Sequence, residues 1–390
     1  LDVLDAAKSS YLKTFRALEQ DIRQGSVEAQ QNLKFLSVLK EPCEKLAASH
    51  PNDIPKLLPH ILNCVRMIWS ISTHYNTTDR ITGLLRKMSN EIIKRCQVTL
   101  NLQDIFDGRV EGVLVELQQS INCGKEWKHA YRSTCRLVQA NCARKWDFSE
   151  GSIFAQVDAF VQRCCDLEEI CKGQLQFAAK NRGERLPEFG GTRSQEILKS
   201  LLEIQDAFLK NVGKLRDVDY DILDVNASKW HDDYSLFKNN MKDLEVMYMN
   251  VMNSAFEAAS TVHTAVEVLD NFYLLAKRER IQVAVEKKAS ELYQLFLKEL
   301  ADVKKEFEHL RKKPVLPVTP GHPYYAGTAL WAKGLMLRVQ RQMDDLNMLC
   351  YLTKTKEQES AKEECLRNHG ILESFVLTIF GEWQVELKSV

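Results

Sequence analysis

The chain has 390 residues, enough for two or three helical bundles with real cores. Its 53 basic residues balance 53 acidic ones, which argues against a general nucleic-acid or membrane-surface binder. No apolar run approaches the ~20 residues needed to span a bilayer, and the first residue is Leu1 with no signal peptide, which reads as an internal segment of something longer.

Residues 1–182 read as a series of amphipathic helices forming an N-terminal bundle. Tyr11, Phe15, Leu18 and Ile22 share one helical face, with Gly25 as the expected end. Ala29, Leu33 and Leu36 carry the next helix, which Pro42 is expected to stop. Pro51, Pro55 and Pro59 mark a connection in which Asp53 is a candidate N-cap. Leu58, Ile61, Val65 and Ile68 then share a face. Asn76-Thr77-Thr78-Asp79 is a turn and cap signal before Ile81, Leu84, Met88, Ile92 and Cys96. Val98, Leu100 and Leu102 alternate as a short extended piece would, ended by Asp107-Gly108.

Helical phase returns at Val113, Leu117 and Ile121, then Trp127, Tyr131, Cys135, Val138 and Cys142. Ser152 is the expected cap of a helix on Ile153, Val157, Phe160, Cys164, Leu167, Cys171 and Ala178. Arg182–Arg193 (RGERLPEFGGTR) is a break, and Thr192 with Gln195 forms a capping box. Ile197, Leu201, Ile204 and Phe208 carry a helix expected to end at Gly213.

Residues 183–313 form a long-helix bundle. Lys214 to Lys313 holds no glycine and no proline, although the chain has 16 and 9 of them. Alternating steps of four and three from Trp230 land on Tyr234, Phe237, Met241, Leu244, Tyr248, Val251, Ala255, Ala258, Val262, Ala265, Leu269, Phe272 and Ala276. This seam predicts a helix about 70 Å long at ~1.5 Å per residue, with Asn226 or Ser228 as N-cap. The phase slips at Lys277-Arg278-Glu279-Arg280. Val285, Ala289, Leu292, Phe296, Leu300, Val303, Phe307 and Leu310 follow, as a second helix or one helix with a stutter. Residues 314–390 form a proline-rich connection and a C-terminal bundle. Lys313–Gly327 is expected to lie extended, followed by helices through Leu330, Trp331, Leu335 and Met343 and through Leu372, Phe375, Ile379 and Trp383.

Little of this is arranged for catalysis. The eleven cysteines include no C-x-x-C pair, and several fall on apolar helical phases, as small buried thiols do. There is no G-x-x-x-x-G-K-[ST], no G-x-G-x-x-G and no H-E-x-x-H. His231-Asp232-Asp233 cannot converge on a metal if helical, because adjacent residues diverge by about 100°. His263 reads as a hydrogen-bonded surface or groove histidine. Two features point to partner binding. Met241, Met247, Met249 and Met252 give more than one apolar face, either core or an adaptable docking surface. Lys277, Arg278, Arg280, Lys287 and Lys288 form a basic patch, either a solvated face or a dock for an acidic partner.

The stretches VRMIWSISTHYNT (65–77), WDFSEGSIFAQVDAFVQRCCDLEEI (146–170), FGGTR (189–193), YDILDVNASKWHDDYSLFKNNMKDLEVM (220–247) and GHPYYAGTALWAKGL (321–335) closely resemble the N-terminal tail region of axonemal, multi-headed dynein heavy chains. The resemblance covers essentially the whole chain. It implies an all-α, elongated succession of helical bundles with long antiparallel helices. It implies a non-catalytic scaffold without cofactor, the ATP- and magnesium-dependent motor lying elsewhere in the polypeptide. It also implies partners: β-propeller-type intermediate chains, a neighbouring heavy-chain tail and docking factors on the doublet microtubule, but no nucleic acid and no membrane. The implied place is the axoneme of a cilium or flagellum, with the cytoplasm during preassembly. Composition and periodicity alone equally admit a helical tethering or adaptor scaffold unrelated to motors.

Overall fold

Apolar residues recur every three to four positions along most of the chain, and the backbone answers with helices and turns. The computed structural model describes residues 3, 6, 7, 10–141, 146, 148–178, 193–259, 261–275, 278–311, 322–349 and 356–389. Among the described residues there is no strand. The helices are α1 (Ser10–Leu36), α2 (Lys40–Ala48), α3 (Ile54–Ile71), α4 (Thr78–Thr99), α5 (Leu102–Phe106), α6 (Val110–Asn141), α7 (Glu150–Phe177), α8 (Ser194–Arg216), α9 (Lys229–Ala258), α10 (Val262–Leu275), α11 (Glu279–Arg311), α12 (Tyr324–Asn347) and α13 (Lys356–Ser389). The chain divides into two compact units, Leu1–Leu175 with Val212–Ser235, and Gln176–Asn211 with Leu236–Val390.

In the first unit α3 packs on α6, and α2 lies against α3 and α4. Leu58, Ile61, Val65 and Ile68 of α3 are buried, as their spacing predicts. Rings of Trp69, Trp127, Tyr131, Trp146, Phe148 and Phe154 meet mostly edge to face, with neighbouring centroids 5.0–6.4 Å apart. Ser89 anchors the cluster. It accepts from Trp127 Nε1 at 2.9 Å and donates to the Ile153 carbonyl at 3.1 Å, so the buried Trp127 indole and the serine hydroxyl are both paired. Each fully buried side chain of this size contributes roughly 1.5–3 kcal/mol.

In the second unit α12 packs along α13, α13 along α11, and α10 against α11 and α12. Val285, Ala289, Leu292, Phe296, Leu300, Val303 and Phe307 are all buried, the stripe their phase predicts. Phe307 stacks on Trp331 at 5.9 Å and meets Phe375 edge to face at 5.1 Å. The Tyr293 hydroxyl donates to the Leu346 carbonyl, and the Asn368 amide donates to that of Leu300.

Several expected boundaries fall elsewhere. α1 runs through Gly25 and α8 runs past Gly213. A mid-helix glycine costs only about 1 kcal/mol against alanine, which flanking helix formers offset. Pro42 sits in the first turn of α2, where no helical donor is needed. Residues 98–102 are not extended as a piece: Val98 lies in the last turn of α4, and Asn101 caps α5 by accepting from the Gln103 N–H. Gly108 does end that stretch, at φ 83°, a conformation glycine reaches without strain. Leu85, not Leu84, enters the core of α4. Asp53 precedes α3 but makes no cap bond, pairing with Lys56 instead. Ser149, three residues before the expected Ser152, starts α7: the Ser152 N–H meets its carbonyl at 3.1 Å. Ser228, not Asn226, directly precedes α9. Gly327 and both tyrosines before it are helical in α12, so the last part of the expected extended stretch is helix. Cys142, Thr192, most of 182–193 and residues 312–321 lie outside the described residues.

Candidate partner-binding surface

The seam of α9 faces inward. Trp230, Tyr234, Phe237, Met241, Leu244 and Tyr248 are buried, and Val251 is half-buried with Met252 taking the core position beside it. The expected single helix to Ala276 does not form. α9 ends at Ala258 and α10 starts at Val262. Thr261 and Thr264 cap the second start reciprocally, each backbone N–H meeting the other's hydroxyl at 3.2 Å. Ala258 is therefore exposed at a helix end, and Ala276 lies outside the described residues.

The methionines divide between two jobs. Met252 and Met241 are core, Met249 is half-buried, and Met247 is 43% exposed beside exposed Val246. The basic patch divides too. Lys277 lies outside the described residues. Arg278 is enclosed: it pairs with Glu245, donates from Nε to Gln176 at 2.9 Å, and lies 5.7 Å from the Phe177 ring centroid. Arg280 approaches the other Glu245 oxygen at 3.6 Å with its own side chain 62% exposed. Lys288 pairs with Glu291 at 2.8 Å and lies over the Phe256 ring. Lys287 is exposed. Met247, Arg280 and Lys287 thus remain on the surface, whereas Met252 and Arg278 hold the unit together. Glu245, buried between two arginines, is invisible to periodicity because it sits one step off the seam.

The aspartate-rich stretch before α9 is a folded anchor in the first unit. Asp221 and Asp224 each accept from the backbone N–H two residues on, at 2.9 Å, forming Asx turns. Arg163 donates to the carbonyls of Ile222 and Asp224, and Gln97 to that of Leu223. The Arg163 guanidinium lies 4.8 Å from the Trp230 ring centroid, while Trp230 Nε1 donates to Asp166 at 3.0 Å. Trp230 stacks on Tyr234 at 5.5 Å and 8°. Tyr220 donates to Asp233 at 2.6 Å, and that carboxylate raises the phenol above its ordinary range, together with burial, the larger cause. Asp233 is thereby employed in packing; His231 and Asp232 are exposed. His263 is a surface histidine bonded to Asp345 at 2.9 Å. Burial pushes Cys171 up to about 12 and Cys164 higher still, so neither thiol is poised to react. Among the described residues no group of His, Cys, Asp and Glu is placed to hold a metal, and no helix is long and apolar enough to cross a membrane.

One feature had no sequence signal. Between α12 and α13 lies an apolar groove of about 740 Å³, lined by Tyr325, Ala326, Ala329, Leu330, Phe380 and Trp383 among others. It needs two helices in register, which a single stripe does not disclose.

The comparisons with known proteins identify the family. The sequence matches the family described as "Dynein heavy chain, N-terminal region 1" over residues 1–390. The chain belongs to the dynein heavy-chain family. This dynein segment is 43% identical over all its residues to the dynein-1-beta heavy chain of the flagellar inner arm I1 complex of Chlamydomonas reinhardtii, covering 8% of that protein. It is 33% identical over 99% of its length to mouse dynein axonemal heavy chain 2, covering 7% of it. It is 30% identical over 88% of its length to the dynein beta chain of the Chlamydomonas flagellar outer arm, again covering 7%. It therefore spans under a tenth of the length of these relatives, and it matches the region named N-terminal.

Proposed function

We propose that this segment is a non-catalytic scaffold in the tail of an inner-arm axonemal dynein heavy chain. The observation that carries this is the 43% identity, over every residue, to a chain named as part of a flagellar inner-arm complex, against 30% to a named outer-arm chain. In this reading the segment organises intermediate chains and a neighbouring heavy-chain tail. Through them and docking factors it fixes the arm to the doublet microtubule. ATP and magnesium chemistry belongs to a motor elsewhere in the polypeptide, and the site of action is the axoneme, after assembly in the cytoplasm.

The physics of the fold supports a load-bearing part. Helices packed along continuous stripes resist bending, because bending shears many close-packed side chains at once. Met247, Arg280 and Lys287 are the exposed part of the interface that the sequence proposes. The test is recovery from ciliary extract on tagged 1–390, with bound proteins identified by mass spectrometry. Dynein intermediate chains or a second heavy chain are expected. Vesicle-tethering components in their place, or ATP turnover by the fragment itself, would overturn the reading.

A further inference from the structure

Along α6 of the first unit, Lys125, Lys128, His129, Arg132 and Arg136 follow one another at helical spacing. Together with Ser133, Asp158 and Val161 they line a hollow of about 460 Å³ between α6 and α7. The two helices touch at its floor: a Cβ on Gly124 would come within 2.5 Å of the Val161 Cγ2. Glycine there lets α6 and the valines of α7 come together.

The hollow carries more positive charge than its own carboxylates offset. Lys128 pairs with Asp158 at 2.7 Å and Arg132 with Glu150 at 3.0 Å, both from α7. His129 lies 3.9 Å from Glu126. Lys125 and Arg136, both exposed, make no ion pair among the described residues. Like charges three and four apart on one helix oppose its formation by roughly 0.2–0.5 kcal/mol a pair, so the stripe is not there for helix stability. From Lys125 to Arg136 it runs about 17 Å at ~1.5 Å per residue, the reach of about five or six extended residues at ~3.3 Å each.

We propose that this hollow is a docking site for an acidic peptide segment of a partner protein, its carboxylates running along the α6 stripe. The mixed lining favours a peptide over a membrane. The hollow is a concavity with Val161 in its lining and two ion pairs already fixing lysine and arginine heads, whereas a membrane surface asks for a broad convex basic face. The site is a property of α6 and α7 and holds whichever heavy chain this segment belongs to.

The test is fluorescence anisotropy of a labelled oligoglutamate of about six residues with the full 390-residue chain. Binding is expected at about 0.1 M salt and loss of it at about 1 M, where charges are screened within ~3 Å. Lys125→Glu with Arg136→Glu is expected to weaken it at least about tenfold. Lys199→Glu with Lys305→Glu, the same net change at exposed sites elsewhere, is expected to leave it unchanged. Circular dichroism and thermal melting of both variants establish that they fold. A folded Lys125→Glu, Arg136→Glu protein that binds as the parent does would overturn the proposal. So would equal weakening by the control pair, no binding by the parent, or tighter binding to phosphatidylserine vesicles or polyuridylate than to the peptide.

Discussion

Trp230 stacks on Tyr234, donates its indole N–H to Asp166 and carries the Arg163 guanidinium over its ring. Removing it leaves a cavity, takes one of its donors from the buried Asp166 carboxylate and removes the ring beneath the Arg163 guanidinium. Trp230→Ala is expected to cost about 3–5 kcal/mol, read as a lowered urea midpoint. Arg278 makes the companion case, since its loss strands Glu245 with only the longer contact to Arg280. Arg278→Met should destabilise by at least about 2 kcal/mol, and Arg278→Met with Glu245→Gln should recover much of it. A stability unchanged by the single substitution would contradict the enclosed ion pair. His263 supplies a pH dependence. Its hydrogen bond to Asp345 raises its pKa above the ordinary 6.5, and Asp345's charge acts in the same sense. The contact therefore contributes fully below about pH 6.5 and is lost as pH rises through the raised value. Both groups are partly exposed, so the effect is small. An NMR titration of the His263 ring is expected to show a raised midpoint that Asp345→Asn abolishes. These partners were not legible in the sequence. Trp230 lies 64 residues from Asp166, and Trp127 lies 38 from Ser89, and no period links a polar group to a partner on another helix.

Helix existence followed from apolar spacing, which marks a face able to pack, although the α1 face of Tyr11, Phe15, Leu18 and Ile22 is exposed. Helix ends did not follow, because a glycine costs a helix interior only about 1 kcal/mol and need not end it. Gly25 and Gly213 sit inside helices, with open space where a side chain would be. The boundary that breaks the long seam has no glycine or proline: it is the Thr261–Thr264 cap. Thr261→Ala should cost about 1 kcal/mol, seen as a lower melting temperature. Leu244→Pro, in the buried middle of α9, should cost about 3 kcal/mol or more and reduce helicity. A wild-type melting curve for that variant would remove α9 from its place in the core.

At the scale of the whole chain, the helical class and the family were both readable from sequence. The first came from uniform periodicity, the second from aromatic and aspartate-rich stretches whose side chains turn out to fix turns and ring clusters. Surfaces for partners were less readable, because methionine and lysine look alike in a core stripe and on a docking face until neighbours are known. Met252 and Met247 make the point five residues apart. The most direct measurement is lysine cross-linking with mass spectrometry on the complex that tagged 1–390 recovers from ciliary extract. The account predicts cross-links from this segment to dynein intermediate chains or a second heavy chain, Lys287 among the attachment points. A complex of unrelated tethering proteins, or a folded chain that recovers no dynein subunit, would contradict it.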